Sequence, residues 1–140
     1  MPQELVDWNE ATGAYPGELP DYHRAQLERW LWDQRDRFVT PILDIGAGWR
    51  RPYLPQSITL NTGEYDIPYA GGGGAHHVPD VTANMCDLPY KDGEIGTIIC
   101  TETLEHVANL FKAVLEIKRV LRPGGWAFIT TPFLWPTHDT

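Results

Sequence analysis

The chain has 140 residues, a formal charge of −8 and 42% apolar residues, six of them tryptophan. That size and composition fit one domain, residues 1–140, with a real core, and an acidic balance without a Lys/Arg run excludes a nucleic-acid backbone as the main partner. No apolar run reaches membrane-spanning length, and Cys86 and Cys100 lack the spacing of a disulfide framework or a metal pair, which points to a reducing, cytoplasmic setting.

The opening MPQELVDWNE has no basic segment followed by an apolar one, so no signal peptide is expected. Residues 1–18 read as irregular, because Pro2, Gly13, Pro16 and Gly17 break any period. Trp8 and Tyr15 are anchors onto the domain, or parts of a lid over a substrate. From Pro20 to Phe38 the spacing predicts a covering helix, with Leu27, Trp30, Leu31, Gln34 and Phe38 on one face and Arg24, Glu28, Arg35 and Asp36 elsewhere.

Pro41–Gly48, PILDIGAG, is the organising stretch of the chain. Ile42, Leu43 and Ile45 form a short apolar run closed by glycines, the mark of a strand buried on both faces of a parallel sheet. Gly46 and Gly48 bring bare backbone to the carboxyl edge of that strand, where ligands of open α/β sheets bind. Pro52 and Pro55 then leave no room for a regular helix between them, and a second strand, Ser57–Leu60, arrives early. Asn61–Ala75 is a loop holding the run Gly71–Gly74; no Lys-Ser/Thr pair follows, so it is not a P-loop. His76 and His77, adjacent in sequence, point to opposite faces and do not share a metal.

Val78–Ala83 is a third strand, Lys91-Asp92-Gly93 a turn, and Ile95–Cys100 a buried fourth strand. Thr101 or Thr103 is positioned to cap a following helix whose stripe runs from Leu104 through Val107, Leu110, Phe111, Val114, Leu115 and Ile117 to Leu121. Arg122-Pro123-Gly124-Gly125 stops it, and Trp126–Thr131 is the fifth strand. This order predicts a three-layer α/β domain with a mainly parallel sheet.

With these residues placed, the chain resembles the class I S-adenosylmethionine-dependent methyltransferases, in particular those of the type 11 family. The likeness is carried by ILDIGAG, DVTANMCDLPYKDG and TETLEHVANLFKAVLEIKRVLRPGGWAFITTPF, and implies a cofactor-binding core over residues 41–135. It implies a Rossmann-like fold with about five strands present and the family's last two lacking. It also implies that S-adenosylmethionine is held by Asp44, Gly46, Ala47 and Gly48 at its methionine part, with Asn61 or Glu64 on the ribose. Asn84 and Met85 would meet the adenine, and Thr101 would lie near the methionine end. The chain departs from the family pattern at Arg50, which replaces a third glycine, at Asn61 and Asn84, which replace acids, and at Ile95-Gly96, which replaces an aromatic-Asp pair.

The function expected is methyl transfer to a small-molecule acceptor, with His138 as the base and Glu102 and His106 as weaker candidates. The second expectation is a non-catalytic relative, a binding or assembly module with a decayed cofactor site. A nicotinamide-dependent dehydrogenase ranks below both, because GAGWRR lacks the G-x-G-x-x-G spacing. The apolar fifth strand and the residues after it predict self-association as a homodimer through the edge of strand 126–131, with a cover from residues 1–18 as the alternative.

Overall fold

The computed structural model describes residues 22–46, 56–61 and 79–133. Its five strands are β1 Ile42–Ile45, β2 Ser57–Asn61, β3 Val81–Thr82, β4 Ile95–Thr101 and β5 Leu121–Thr130. They form one sheet in the order β3-β2-β1-β4-β5, and every pairing is parallel. The α/β class and the parallel sheet expected from the sequence are what the chain adopts.

Alternation along the central strands divides the core. Leu43, Ile45, Ile98 and Cys100 point to one face, where Ala113, Ile117 and Val120 of helix α2 (Leu110–Val120) close over them with Leu60, Met85 and Leu88. Ile42, Ile99 and Phe128 point to the other face and meet Leu31 of helix α1 (Tyr22–Asp33). All four residues of β1 and all seven of β4 are buried, as strands covered on both faces should be. Each buried Leu or Ile contributes about 1.5–3 kcal/mol relative to an exposed position.

The helix expected over 20–38 is shorter and breaks. Residues 20 and 21 lie outside the described residues, α1 ends at Asp33, and Arg35–Arg37 continue as a 3-10 turn. The tighter turn sets Phe38 edge-on to Phe128, with centroids 5.3 Å apart. Trp30 meets the same ring at 6.0 Å, and Arg37 lies over Trp126 at 5.0 Å. Such aromatic contacts favour edge-to-face geometry. Glu28, expected away from the packed face, is buried at 1% exposure.

Three other boundaries differ. The third strand is Val81–Thr82, not Val78–Ala83. The helix after β4 does not start at Thr101–Thr103: residues Leu104–His106 form a 3-10 turn, and α2 starts at Leu110 with Asn109 as its cap. The Asn109 side chain accepts a hydrogen bond from the Lys112 amide at 3.0 Å, a pairing Asn makes well at helix starts. The fifth strand starts at Leu121 rather than Trp126, directly after α2. Leu121 pairs with Ile95 and Trp126 with Thr97, so the extra residues between them are absorbed as an irregularity in the ladder. Gly124, at φ 78°, supplies the left-handed backbone that this irregularity needs.

The Ile95-Gly96 departure has a packing cause. A Cβ at Gly96 would lie 2.3 Å from the Val39 carbonyl oxygen and 2.8 Å from that of Thr40. The chain entering β1 therefore crosses directly over Gly96. The Gly96 amide donates to Pro41 O at 2.9 Å, and the Thr97 hydroxyl donates to Val39 O at 3.0 Å while accepting from Val39 N at 2.7 Å. This crossing is at the amino-terminal end of β4, on the far side of the sheet from the carboxyl edge.

Candidate active site at the carboxyl edge

β1 lies between β2 and β4, so the strand order reverses at the β1/β4 boundary. A crevice at such a switch point is the expected ligand site of an open parallel sheet. The described residues that reach it are Gly46 after β1, Asn61 at the end of β2, Asn84 and Met85 after β3, and Thr101–Thr103 at the end of β4. Ala47, Gly48, Glu64 and His138 lie outside the described residues.

Gly46 turns the chain at φ 77°, and its amide continues the ladder by donating to Leu60 O at 2.8 Å. The side without a Cβ does not face open space. An added Cβ would meet the Thr103 hydroxyl at 2.2 Å and its methyl at 2.6 Å. That space is filled by the Thr103 side chain. The Thr103 hydroxyl sits 3.0 Å from Thr101 O and 3.4 Å from Ile45 O. Thr103 thus ties the end of β4 to the end of β1.

Glu102 ties the same segment to β5. Its amide donates to Thr130 O at 3.0 Å, and its carboxylate accepts from the Thr130 hydroxyl at 2.8 Å. Its φ of 51° is the one positive value at a non-glycine among the described residues, and such conformations concentrate at functional sites. Thr101–Thr103 therefore form a strap across the carboxyl ends of β1, β4 and β5. Sequence reasoning took this strap for a helix start, and no local signal marks it otherwise.

Of the other predicted residues, Asp44 is fully buried within β1, and Thr101 is 6% exposed. Asn61 is half-buried, and its carbonyl accepts from Ala83 N at 3.1 Å. The Asn84 side-chain oxygen accepts from the Cys86 amide at 2.8 Å, and its carbonyl from the Asp87 amide at 2.9 Å. This is an Asx turn, which a neutral amide makes as well as an acid; the amide NH2 remains as a donor. The Met85 side chain is in the core at 2% exposure, so only its backbone can meet a ligand. His106 sits in the 3-10 turn, its Nε2 3.7 Å from Glu105 Oε1.

The loop that carries Asn84 is fixed from below by a pair that sequence reasoning left unused. Arg119 donates twice to Glu116, both at 2.7 Å, and also to Tyr90 O at 2.7 Å, Leu88 O at 3.0 Å and Asp92 Oδ1 at 3.0 Å. Glu116 in turn accepts from the Leu88 amide at 2.8 Å. The signal was present as Glu and Arg three apart on one helix. The Arg119 hydrogen bonds, with help from the Leu88 amide, hold the Glu116 carboxyl down to about 2 against desolvation that pushes it up. Glu116 and Asp92 raise Arg119 above the usual range. The Tyr90 phenol is raised by burial, and further by Glu94 and Asp80.

Because the folded Glu116 pKa lies below its ordinary 4.5, its contribution is complete above that value and is lost as pH falls toward 2. Glu116→Gln is expected to cost about 1–3 kcal/mol at neutral pH and to flatten the acid limb of stability between about pH 5 and pH 2. Urea melts of both proteins across that range check it; parallel acid limbs would contradict it.

A family model described as a methyltransferase domain matches residues 43–129. The chain belongs to the methyltransferase-domain family. The match runs from within β1 into β5 and so takes in the whole strap. The domain is 31% identical over 75 residues to demethylmenaquinone methyltransferase of Mycobacterium tuberculosis, covering 54% of this chain and 32% of that one. Among solved structures it superposes on an S-adenosylmethionine-dependent methyltransferase of Thermotoga maritima with TM-score 0.55 at 18% identity, over 90% of this chain and 56% of that one. It also superposes on the [4+2]-cyclase SpnF with TM-score 0.54 at 21% identity, over 89% and 55%. The domain spans between 19% and 32% of the length of the curated relatives it matches. No helix among the described residues is long and apolar enough to cross a membrane.

Proposed function

We propose that the chain binds S-adenosylmethionine at the carboxyl edge of β1 and β4 and serves methyl transfer to a small-molecule acceptor. The carrying observation is the chemistry of that edge. Its described strand ends offer Asn61, Asn84, Thr101, Glu102 and Thr103 and carry no Lys or Arg. Amides, hydroxyls and a carboxylate suit a ligand with a positive charge and several hydroxyls; a polyphosphate calls for cations and amide donors. The acidic balance of the chain has the same sign preference.

When bound, the cofactor supplies an activated methyl on a sulfonium. The chain's own part is positioning. Gly46, with Ala47 and Gly48, approaches the methionine portion, Asp44 supports that turn from within β1, and Thr101 flanks it. Asn84 offers its NH2, and Met85 its backbone, to the adenine. His138 is the proposed base for an acceptor that must lose a proton. Glu64 rather than Asn61 holds the ribose diol, since a carboxylate is the stronger acceptor.

Calorimetric titration with S-adenosylmethionine and S-adenosylhomocysteine tests the reading. Glu64→Gln is expected to weaken binding by roughly 1–2 kcal/mol. Unchanged affinity there, with loss in Asn61→Ala, would move the diol to Asn61. A second reading, a binding module without methyl transfer, draws on Asn61 and Asn84 standing where the family pattern has acids, since a neutral amide is the weaker acceptor. No heat with either ligand would favour it.

A further inference from the structure

We propose, on the cofactor placement given above, that the base subsite at Asn84 presents two adjacent donors and so accepts a 6-keto purine as readily as adenine. The Asn84 carboxamide has one orientation. Its Oδ1 accepts from the Cys86 amide at 2.8 Å, and only the oxygen end of a carboxamide can meet an N–H. A second bond, from the Asp87 amide to Asn84 O at 2.9 Å, closes the same turn. Nδ2 of this exposed residue is left without an acceptor among the described residues. The Met85 amide, one residue on, also has no acceptor among them. Inverting the carboxamide would set Nδ2 against the Cys86 N–H, two donors facing each other. The loop resists rearrangement, because Met85 and Leu88 are buried in the core and the Leu88 amide and carbonyl end on Glu116 and Arg119.

The place in the sheet brings a base to these donors. β3 is the outer strand, two removed from β1. Neighbouring strands lie about 4.8 Å apart, so the end of β3 is about 10 Å from the end of β1. A nucleoside with its 5′ end at Gly46 and its sugar over β2 spans that distance, and Asn84 and Met85 meet the edge of the base remote from the sugar. On adenine that edge carries a donor, the 6-amino group, beside an acceptor, N1. On a 6-keto purine it carries an acceptor, O6, beside a donor, the protonated N1. Two donors side by side satisfy one position of either base. Asn84 is therefore the specificity-determining residue. With an acid there, the acceptor and the Met85 donor together would match both positions of adenine and neither of the 6-keto base.

Calorimetric titration of the full chain with S-adenosylhomocysteine and with S-inosylhomocysteine, the same thioether with a keto oxygen at C6, tests the proposal. The wild-type chain is expected to bind the two within about tenfold of each other. Asn84→Asp keeps an oxygen for the Cys86 amide, so the turn survives, and is expected to raise the preference for the adenosyl ligand at least about tenfold. The ratio of the two affinities cancels the added charge and any change in loop stability, which act on both ligands alike. A wild-type discrimination of more than about tenfold in either direction would overturn the proposal. So would a smaller shift in Asn84→Asp with both ligands still bound, which would leave the cofactor placement standing. If neither ligand binds the wild-type chain, the placement itself fails and the proposal with it.

Discussion

Gly96→Ala is expected to destabilise the protein by about 3 kcal/mol or more, at the upper end of overpacking costs. The added methyl would lie 2.3 Å from the Val39 carbonyl oxygen and 2.8 Å from the Val39 carbonyl carbon and the Thr40 oxygen. These are backbone atoms, so no side-chain rotation relieves the contact. The crossing segment is also pinned: Pro41 O accepts from the Gly96 and Thr97 amides at 2.9 and 3.1 Å, and the Thr97 hydroxyl holds Val39 at both its N–H and C=O. Moving it aside would break those bonds and pull on β1, all of whose residues are buried. A loss of that size is a large part of a typical 5–15 kcal/mol and lowers the midpoint by roughly 10 °C for a domain of this length. Thermal melting followed by circular dichroism measures it; a midpoint close to wild type would show that the crossing gives way easily.

The second large effect is expected at Gly46. Gly46→Val should abolish cofactor binding and cost stability together, because the new side chain strikes Thr103 and the φ of 77° is strained for a β-branched residue. The two causes separate in a short series. Gly46→Ala alone keeps both the clash and the strain. Gly46→Ala with Thr103→Gly removes the clash and leaves a backbone cost of about 1–3 kcal/mol. Affinity for S-adenosylhomocysteine is expected to fall in the single variant and to recover in part in the double one. If Gly46→Val bound the ligand as tightly as wild type, the carboxyl edge of β1 would not be the site.

The strands were legible because their signal is local. ILDI, SITL and IGTIIC are short apolar, β-branched runs, and the structure sets them side by side in the parallel sheet expected. Helix boundaries were less legible because tertiary contacts set them. Thr101–Thr103 has the composition of a helix start, yet Thr130 and Ile45 hold it as a strap. Arg122–Gly125 has the composition of a stop between elements, yet it lies within β5. Glu28 falls off the apolar face by spacing but is buried. Gly96 read as a family departure, and only the chain crossing above it supplies the reason. The site was legible as a place, the carboxyl edge after ILDIG, but not in its filling, since no spacing rule puts Thr103 against Gly46.

The Glu116–Arg119 pair has a consequence for local opening. The segment from Asn84 to Gly93 has no helix and one buried pair of side chains, Met85 and Leu88, and by sequence alone it would be taken for an independent loop. Its Leu88 amide and the carbonyls of Leu88 and Tyr90 end on side chains of α2, and the Gly93 amide ends on Arg119 O at 2.9 Å. The loop and the helix are therefore one cooperative unit in the sense of native-state hydrogen exchange. The Leu88 amide exchanges only when α2 lets go of it, and a molecule resting on Asn84 is felt as slower exchange along the helix beneath.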